Sequence, residues 1–140
     1  MEFTTNSSAE TKRRAAALAP RLPAGTVIAL YGEIGAGKTC FVQGLARGLG
    51  IKGPVASPTF IIINEHAGKT PLYHVDLYRL PTVEDALQIG LEEYFSRDGI
   101  TVIEWAERAE ELLPPGTIRV HLTAQGQNCR HIAIQGLADD

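Results

Sequence analysis

Short apolar runs alternate along the chain with longer segments in which apolar residues recur at helical spacing. The apolar runs predict strands at 26–31, 59–63, 72–77 and 100–103. Helical spacing predicts helices that end near Pro20, at about 38–49 and over 83–95. Turn residues join the second and third runs, and join 117–122 to 130–134, so each pair predicts a hairpin. Strands alternating with helices predict an α/β fold with a doubly wound, mainly parallel sheet and antiparallel edge strands.

One segment carries a complete phosphate-binding motif. Residues 32–39 read Gly32-Glu33-Ile34-Gly35-Ala36-Gly37-Lys38-Thr39, the full G-x-x-x-x-G-K-[ST] pattern, and they follow a predicted strand and precede a predicted helix. In such a loop the backbone N–H groups from Glu33 to Thr39 surround the phosphates. Lys38 bridges the terminal phosphates, and the Thr39 hydroxyl can hold Mg²⁺. The sequence therefore predicts a nucleotide-binding site, with the N-terminus of the following helix pointing at the phosphates.

Two acidic residues are candidates to complete this site. A phosphate loop needs a second acid for Mg²⁺, usually where an apolar strand ends beside the loop. Glu104 ends the apolar run 100–103, whereas Asp76 lies in a mixed segment rich in polar residues. We therefore assign Mg²⁺ to Glu104, and we expect Asp76 to act as a catalytic residue, together with Lys38, on the attacking water or the γ-phosphate.

Three further features could contribute to the site. Ser57-Pro58-Thr59-Phe60 places a hydroxyl pair in a turn made rigid by proline, and Thr59 could sense a γ-phosphate or its metal, although the segment also fits the start of a strand. Arg79 could neutralise phosphate charge or form a surface ion pair. His74 is interpreted as a packed or hydrogen-bonded residue.

Length and composition favour one compact unit. A chain of 140 residues is in the usual size range of one domain, and 44% hydrophobic with 21% charged residues is ordinary globular composition. We therefore expect a single domain over 1–140. No apolar run approaches the roughly 20 residues that span a bilayer, and the N-terminus lacks a signal-peptide stretch, so we expect a cytoplasmic protein without a membrane partner.

Charge and cysteine content narrow the chemistry further. A formal net charge of −3 argues against an autonomous nucleic-acid binder, and the basic run 12–14 is interpreted as a solvated helix face. The two cysteines, Cys40 and Cys129, lack the paired spacing of a zinc site, and we expect both to be free thiols in a reducing compartment.

The motifs together resemble one family. In order, they are the phosphate loop 32–39, Ser57-Pro58-Thr59-Phe60, His74-x-Asp76-x-Tyr78-Arg79-Leu80 and Glu104-Trp105-Ala106-Glu107. In this order and length they resemble the TsaE (YjeE) family, over essentially the whole chain. The resemblance implies a bacterial P-loop ATPase that assists threonylcarbamoyladenosine synthesis in tRNAs reading codons that begin with A. It would act with the TsaD and TsaB proteins, meeting tRNA only indirectly, while TsaD performs the transfer.

The resemblance also implies roles for individual residues. Lys38 and the loop amides would hold the phosphates of ATP, Thr39 and Glu104 would hold Mg²⁺, and Asp76 would lie near the γ-phosphate with Trp105 flanking the metal. The chain departs from the family pattern at three positions, which are Glu33 in place of Asp or Asn, Cys40 in place of a hydroxyl residue, and Gln127 in place of Arg. The last departure makes Gln127 and Arg130 weaker candidates for nucleotide contacts, and Ser8, ahead of the first helix, is another weak candidate.

Two other functions remain open from the sequence. A small-molecule P-loop kinase could just fit in this length, but the chain has only isolated arginines and no long insertion to form a lid. A nucleotide-gated binding module or a GTPase-like switch would fit Thr59, but the chain lacks the guanine-reading Asn-Lys-x-Asp sequence. Slow hydrolysis would be shared by such a module and by a regulatory ATPase awaiting its partner.

Overall fold

The computed structural model describes residues 1–53, 55 and 62–137. Within them the strands are β1 (Glu2–Thr5), β2 (Val27–Tyr31), β3 (Ile63–His66), β4 (Leu72–Asp76), β5 (Ile100–Glu104), β6 (Ile118–Ala124) and β7 (Arg130–Gln135). The α-helices are α1 (Ser8–Leu18), α2 (Lys38–Gly48), α3 (Val83–Gln88) and α4 (Leu91–Tyr94). Two 3₁₀ segments cover Ala19–Arg21 and Ala106–Leu112.

The described strands form one sheet in the order β1-β7-β6-β2-β5-β4-β3. The pairs β6–β2, β2–β5 and β5–β4 are parallel, and the pairs β1–β7, β7–β6 and β4–β3 are antiparallel. The predicted parallel sheet with antiparallel edges is therefore confirmed. Since the carboxyl ends of parallel strands meet at one edge, the last residues of β2, β4 and β5 lie side by side there.

Both faces of the sheet are covered. Along β2, Ile28 and Leu30 pack into a core shared with α1 and α2. Val27 and Ala29 point the other way, into a core shared with α3, α4 and the segment Ala106–Leu112. Burial on both faces explains why β2 is a continuous apolar run rather than an alternating one.

Helices α1 and α2 run in the same direction along one face of the sheet. A Cβ at Gly44 of α2 would lie only 2.5 Å from the Lys12 carbonyl oxygen of α1, so glycine permits this close packing. One turn earlier, the Cys40 thiol donates to the Ser8 carbonyl at 3.4 Å. The two helices therefore begin at the same end of the molecule, next to the phosphate loop.

Several element boundaries differ from the predictions. β1 was not predicted, because only one of its residues is a large apolar residue. The first strand of the middle hairpin is Ile63–His66, later than the predicted 59–63, and residues 59–61 lie outside the described part. The predicted helix over 83–95 is two short helices, since Gly90 between them adopts a φ of 77°. The 3₁₀ segment Ala106–Leu112 was also missed.

The described residues contain no helix that is both long and apolar enough to cross a membrane.

Candidate nucleotide-binding site

The phosphate loop joins the end of β2 to the start of α2. Gly37, the residue before α2, has a φ of 100°, a left-handed conformation that favours glycine. The Ala36 N–H donates to the Glu33 carbonyl at 3.0 Å, which closes a turn inside the loop. The N-terminus of α2 is thus directed at the interior of the loop, where its free N–H groups favour an anion.

The Lys38 side chain lies across the loop in a buried position, with 5% of the residue exposed. Its ammonium donates to the Gly32 carbonyl and lies 3.5 Å from the centroid of the Trp105 ring. Burial lowers the pKa of Lys38, and the nearby Glu104 carboxylate opposes this effect. Lys38 is therefore a desolvated cation that is held by a carbonyl and an aromatic face.

Thr39 and two carboxylates meet at the carboxyl ends of the central strands. The Thr39 hydroxyl is 3.3 Å from each carboxylate oxygen of Glu104, the last residue of β5. Asp76 ends β4 and is the register partner of Glu104, so the two acids lie on adjacent strands. The Tyr78 N–H donates to Asp76 Oδ1 at 2.9 Å and fixes the turn after β4. The tertiary structure therefore brings together both acids that the sequence singled out.

The oxygen atoms at this edge suit Mg²⁺. A hydroxyl and a carboxylate are hard donors, and Mg²⁺ commonly takes one or two protein oxygens and completes its shell with waters and substrate phosphates. The part of the chain that the structure describes has no group of three or more His, Cys, Asp or Glu side chains that could hold a metal alone. Thr39 and Glu104 therefore fit a metal that arrives together with a phosphate ligand.

Glu104 is buried, with 3% of the residue exposed, and its second contact is a histidine. His74 in β4 is fully buried, and its Nε2 lies 2.5 Å from Glu104 Oε2. The other ring nitrogen, Nδ1, has no hydrogen-bond partner among the described residues. This geometry agrees with the interpretation of His74 as a packed, hydrogen-bonded residue, and it identifies the partner.

Trp105 is the only residue other than glycine with a positive φ in the described part of the chain, at 59°. A bulky residue rarely adopts this conformation, and such strain is concentrated at functional sites. The bend turns the chain sharply after Glu104 and places the indole against Lys38. The Tyr78 ring packs on the indole with centroids 5.1 Å apart, and Arg108 donates to the Tyr78 carbonyl at 2.9 Å.

A hydrogen-bonded cluster holds the segment after Trp105 against the sheet. The Tyr31 hydroxyl, at the end of β2, donates to Glu110 at 2.5 Å, and Arg119 donates to the same carboxylate at 2.8 and 3.0 Å. Burial and the hydrogen bond to Glu110 raise the pKa of Tyr31 to about 12, so its hydroxyl keeps its proton at neutral pH. The cluster therefore fixes Ala106–Leu112 beside the phosphate loop.

These residues surround a cavity of about 430 Å³, which is within the usual range for small-molecule sites. The predicted candidates that line it are Ile34, Gly35, Gly37, Lys38, Thr39, Asp76, Arg79, Glu104 and Trp105. Sequence reasoning missed Cys40, Ile62 and Tyr78 as lining residues. The position of Cys40 in the first turn of α2, and of Tyr78 two residues after Asp76, would have indicated two of them.

Other candidates lie beside the cavity or outside the described residues. Arg130 donates to the Gly35 carbonyl at 3.1 Å and to the Gln127 carbonyl at 3.3 Å, so its guanidinium connects the phosphate loop to the turn between β6 and β7. Gln127 is exposed in that turn, and Ser8 is exposed at the start of α1. In the loop itself, Glu33 is exposed and Ala36 is buried beneath the surface. Thr59 and the rest of Ser57-Pro58-Thr59-Phe60 lie outside the described residues.

Comparison with known proteins identifies the family. The sequence model described as "Threonylcarbamoyl adenosine biosynthesis protein TsaE" matches residues 5–132. A tRNA threonylcarbamoyladenosine biosynthesis protein TsaE from Treponema pallidum is 40% identical over 134 residues, which cover 96% of this chain and 99% of the relative. The protein of the same name from Synechocystis is 50% identical over 117 residues, covering 80% and 74% of the two chains.

A solved structure gives the same result. The crystal structure of Bacillus subtilis YdiB superposes on this chain with a TM-score of 0.84 at 37% sequence identity, and the match covers 99% of this chain and 86% of YdiB. The sequence match, the close relatives and the shared fold agree with the phosphate loop described above. The chain belongs to the TsaE family of tRNA threonylcarbamoyladenosine biosynthesis proteins.

Proposed function

We propose that this chain binds ATP with Mg²⁺ and hydrolyses it as an accessory ATPase of threonylcarbamoyladenosine modification in tRNAs reading codons that begin with A. Its partners in this proposal are the TsaD and TsaB proteins. One observation carries the proposal: the phosphate-loop Lys38 and Thr39 share a single cavity with two carboxylates, Asp76 and Glu104. A cation, a hydroxyl and two acids converging on one anion site are what metal-assisted phosphoryl transfer to water requires.

Each residue has a distinct role in this proposal. Lys38 and the loop amides bind the phosphates, while Thr39 and Glu104 hold the metal that the nucleotide brings. Bound Mg²⁺ would supply neutralisation of charge on the phosphate oxygens. Asp76, one strand away from Glu104, orients the attacking water and accepts its proton. This division rests on position, because Thr39 contacts Glu104 directly, whereas the Asp76 carboxylate accepts a hydrogen bond from the Tyr78 N–H in the turn after β4.

Hydrolysis by the isolated chain is expected to be slow. Among the described residues that line the cavity, Arg79 is the single arginine. Two other arginines near the site, Arg108 and Arg130, donate to backbone carbonyls. An arginine supplied by a partner accelerates related phosphate-loop enzymes by about 10³–10⁵-fold. The exposed Ile34, with 75% of the residue accessible, marks the open mouth of the cavity where a partner could complete the site.

Phosphate release with and without the TsaB–TsaD pair tests this proposal. We expect turnover per site to rise when the pair is added to the chain, with free phosphate as the product. Radiolabelled γ-phosphate separates hydrolysis from transfer to an acceptor, because a small-molecule kinase would deliver the label to another compound. Equal rates with and without the pair would count against completion by partners, and retention of ATP without turnover under both conditions would favour a binding module.

Trp105 provides a direct report of nucleotide binding, since it is the single tryptophan of the chain. Its ring is 3.5 Å from the Lys38 ammonium, and phosphates that attract this ammonium would remove a cation from the indole face. We expect ATP with Mg²⁺ to change the intensity or the emission maximum of Trp105, and AMP to have a smaller effect.

The signal has a matched control. In Lys38→Ala the change in Trp105 fluorescence on adding ATP should vanish, because this variant has no ammonium for the phosphates to draw away from the indole. An unchanged wild-type spectrum at nucleotide concentrations that saturate an independent binding assay would place Trp105 outside the site.

A further inference from the structure

We infer that His74 is a positioning residue that holds the Glu104 carboxylate toward Thr39 and the metal, and keeps it from turning to Lys38. This inference rests on the proposed Mg²⁺ role of Glu104. His74 lies under the site rather than in it, because the ring is fully buried and does not line the cavity. Its effect on the reaction is therefore exerted through Glu104.

The sheet places the ring directly beneath the carboxylate. His74 and Asp76 are two residues apart on β4, so both side chains point to the same face. On the neighbouring strand, Asp76 is paired with Glu104, and His74 is paired with Val102. Val102 packs into the core shared with α2. His74 thus approaches Glu104 from the core side, and Thr39, at the start of α2, approaches it from the loop side.

The contacts of the two ring nitrogens of His74 indicate which of them carries the hydrogen. Nε2 is 2.5 Å from a Glu104 carboxylate oxygen, and a carboxylate accepts hydrogen bonds, so we assign Nε2 as the donor. Nδ1 has no partner among the described residues and is buried, which suits an unprotonated nitrogen better than a buried N–H without an acceptor. His74 therefore donates one directed hydrogen bond, as the histidines and carboxylates behind metal ligands do in other metal sites.

The competing partner of Glu104 is Lys38. The Glu104 carboxylate is the strongest charge acting on the Lys38 ammonium, and both residues are buried. A carboxylate freed from His74 could rotate to form an ion pair with Lys38, since a buried carboxylate strongly favours a cationic or hydrogen-bonding partner. Such a pair would remove one ligand from the metal and one cation from the phosphates. His74 prevents it by occupying Oε2.

Two amide substitutions separate this role from simple packing. His74→Gln can place an N–H near the position of Nε2, whereas the shorter side chain of His74→Asn cannot reach Glu104. The two variants carry the same amide group and differ by one methylene, so they differ in whether the amide reaches Glu104, and their unfolding transitions are measured alongside. His66→Asn, on the adjacent strand β3, serves as the control, because among the described residues the side-chain hydrogen bonds of Glu104 go to Thr39 and His74 and not to His66.

The readout is Mn²⁺ affinity in the presence of the non-hydrolysable analogue AMP-PNP, measured by electron paramagnetic resonance of free Mn²⁺. The affinity of AMP-PNP without metal is measured separately in EDTA. We expect His74→Asn to weaken Mn²⁺ binding by about 10–100-fold, and His74→Gln and His66→Asn to stay near wild type. AMP-PNP binding in EDTA should change far less than metal binding.

The outcomes distinguish the positioning role of His74 from the proposed metal role of Glu104. Wild-type Mn²⁺ affinity in His74→Asn would overturn the positioning role and leave the proposed function intact. Equal losses in His74→Asn and His74→Gln, with unfolding transitions like wild type, would also overturn it, because the donor would not matter. A wild-type chain that binds AMP-PNP but no Mn²⁺ would overturn the proposed metal role of Glu104 and this inference with it.

Discussion

Replacing Lys38 with alanine is expected to reduce ATP hydrolysis by about 10²–10³-fold and to weaken nucleotide binding by a smaller factor. Lys38 is the single cationic residue of the loop 32–39, and its side chain is already buried away from solvent. A hydrogen bond from a charged donor to phosphate is worth about 1.5–3 kcal/mol, or about 10- to 100-fold in affinity. Its contribution increases as negative charge develops on the phosphate oxygens, so the rate should fall further than the affinity.

Two further variants make the Lys38 result specific. Lys38→Met keeps most of the aliphatic stem and removes the ammonium that lies over the Trp105 ring, so a loss equal to that of Lys38→Ala assigns the effect to the charge. Lys52→Ala removes the same charge from an exposed loop position and should behave as wild type. Isothermal titration with ATP and measurement of phosphate release check both quantities. Hydrolysis at the wild-type rate in Lys38→Ala would contradict the assignment of this site.

Asp76→Asn is expected to lose about 10²–10⁴-fold in turnover while nucleotide affinity is retained. Asparagine keeps the side-chain oxygen that accepts from the Tyr78 N–H, so the turn after β4 should be preserved. It cannot accept a proton from water, so the chemical step should fail while the ground-state contacts made by Lys38 and Thr39 remain. A single-turnover measurement at saturating ATP isolates that step from binding.

The control for Asp76 is a nearby carboxylate without a proposed role. Glu107 is exposed, and its charge acts on Lys38, so Glu107→Gln removes one negative charge from the same surroundings. We expect this variant to hydrolyse ATP at close to the wild-type rate. If Asp76→Asn bound ATP poorly but hydrolysed what it bound at full rate, the roles of Asp76 and Glu104 would be exchanged.

The phosphate loop could be predicted because its chemistry is local. The glycines, Lys38 and Thr39 lie within eight consecutive residues, and the apolar run before them and the helical spacing after them define the geometry. Glu104 could be predicted for a related reason, since an acid at the end of a buried strand lies at the edge where parallel strands terminate. The family resemblance followed from the order of such local motifs.

Elements that depend on distant partners could not be predicted in this way. β1 is a short, mostly polar strand, and it is stabilised by pairing with β7 at the other end of the chain. Its formation is decided by an open sheet edge rather than by its own residues. The division of the predicted helix over 83–95 at Gly90 likewise follows from packing of two short helices on the sheet.

The sequence by itself indicated the family, the phosphate loop and two candidate acids, because each motif consists of residues close together along the chain. Only the tertiary structure decided which atoms meet. The His74–Glu104 hydrogen bond depends on the register between β4 and β5, and the contact of Lys38 with Trp105 depends on the left-handed turn that follows Glu104. A one-residue shift in that register would turn His74 to the opposite face of the sheet, so its position beneath the site is a property of the assembled sheet.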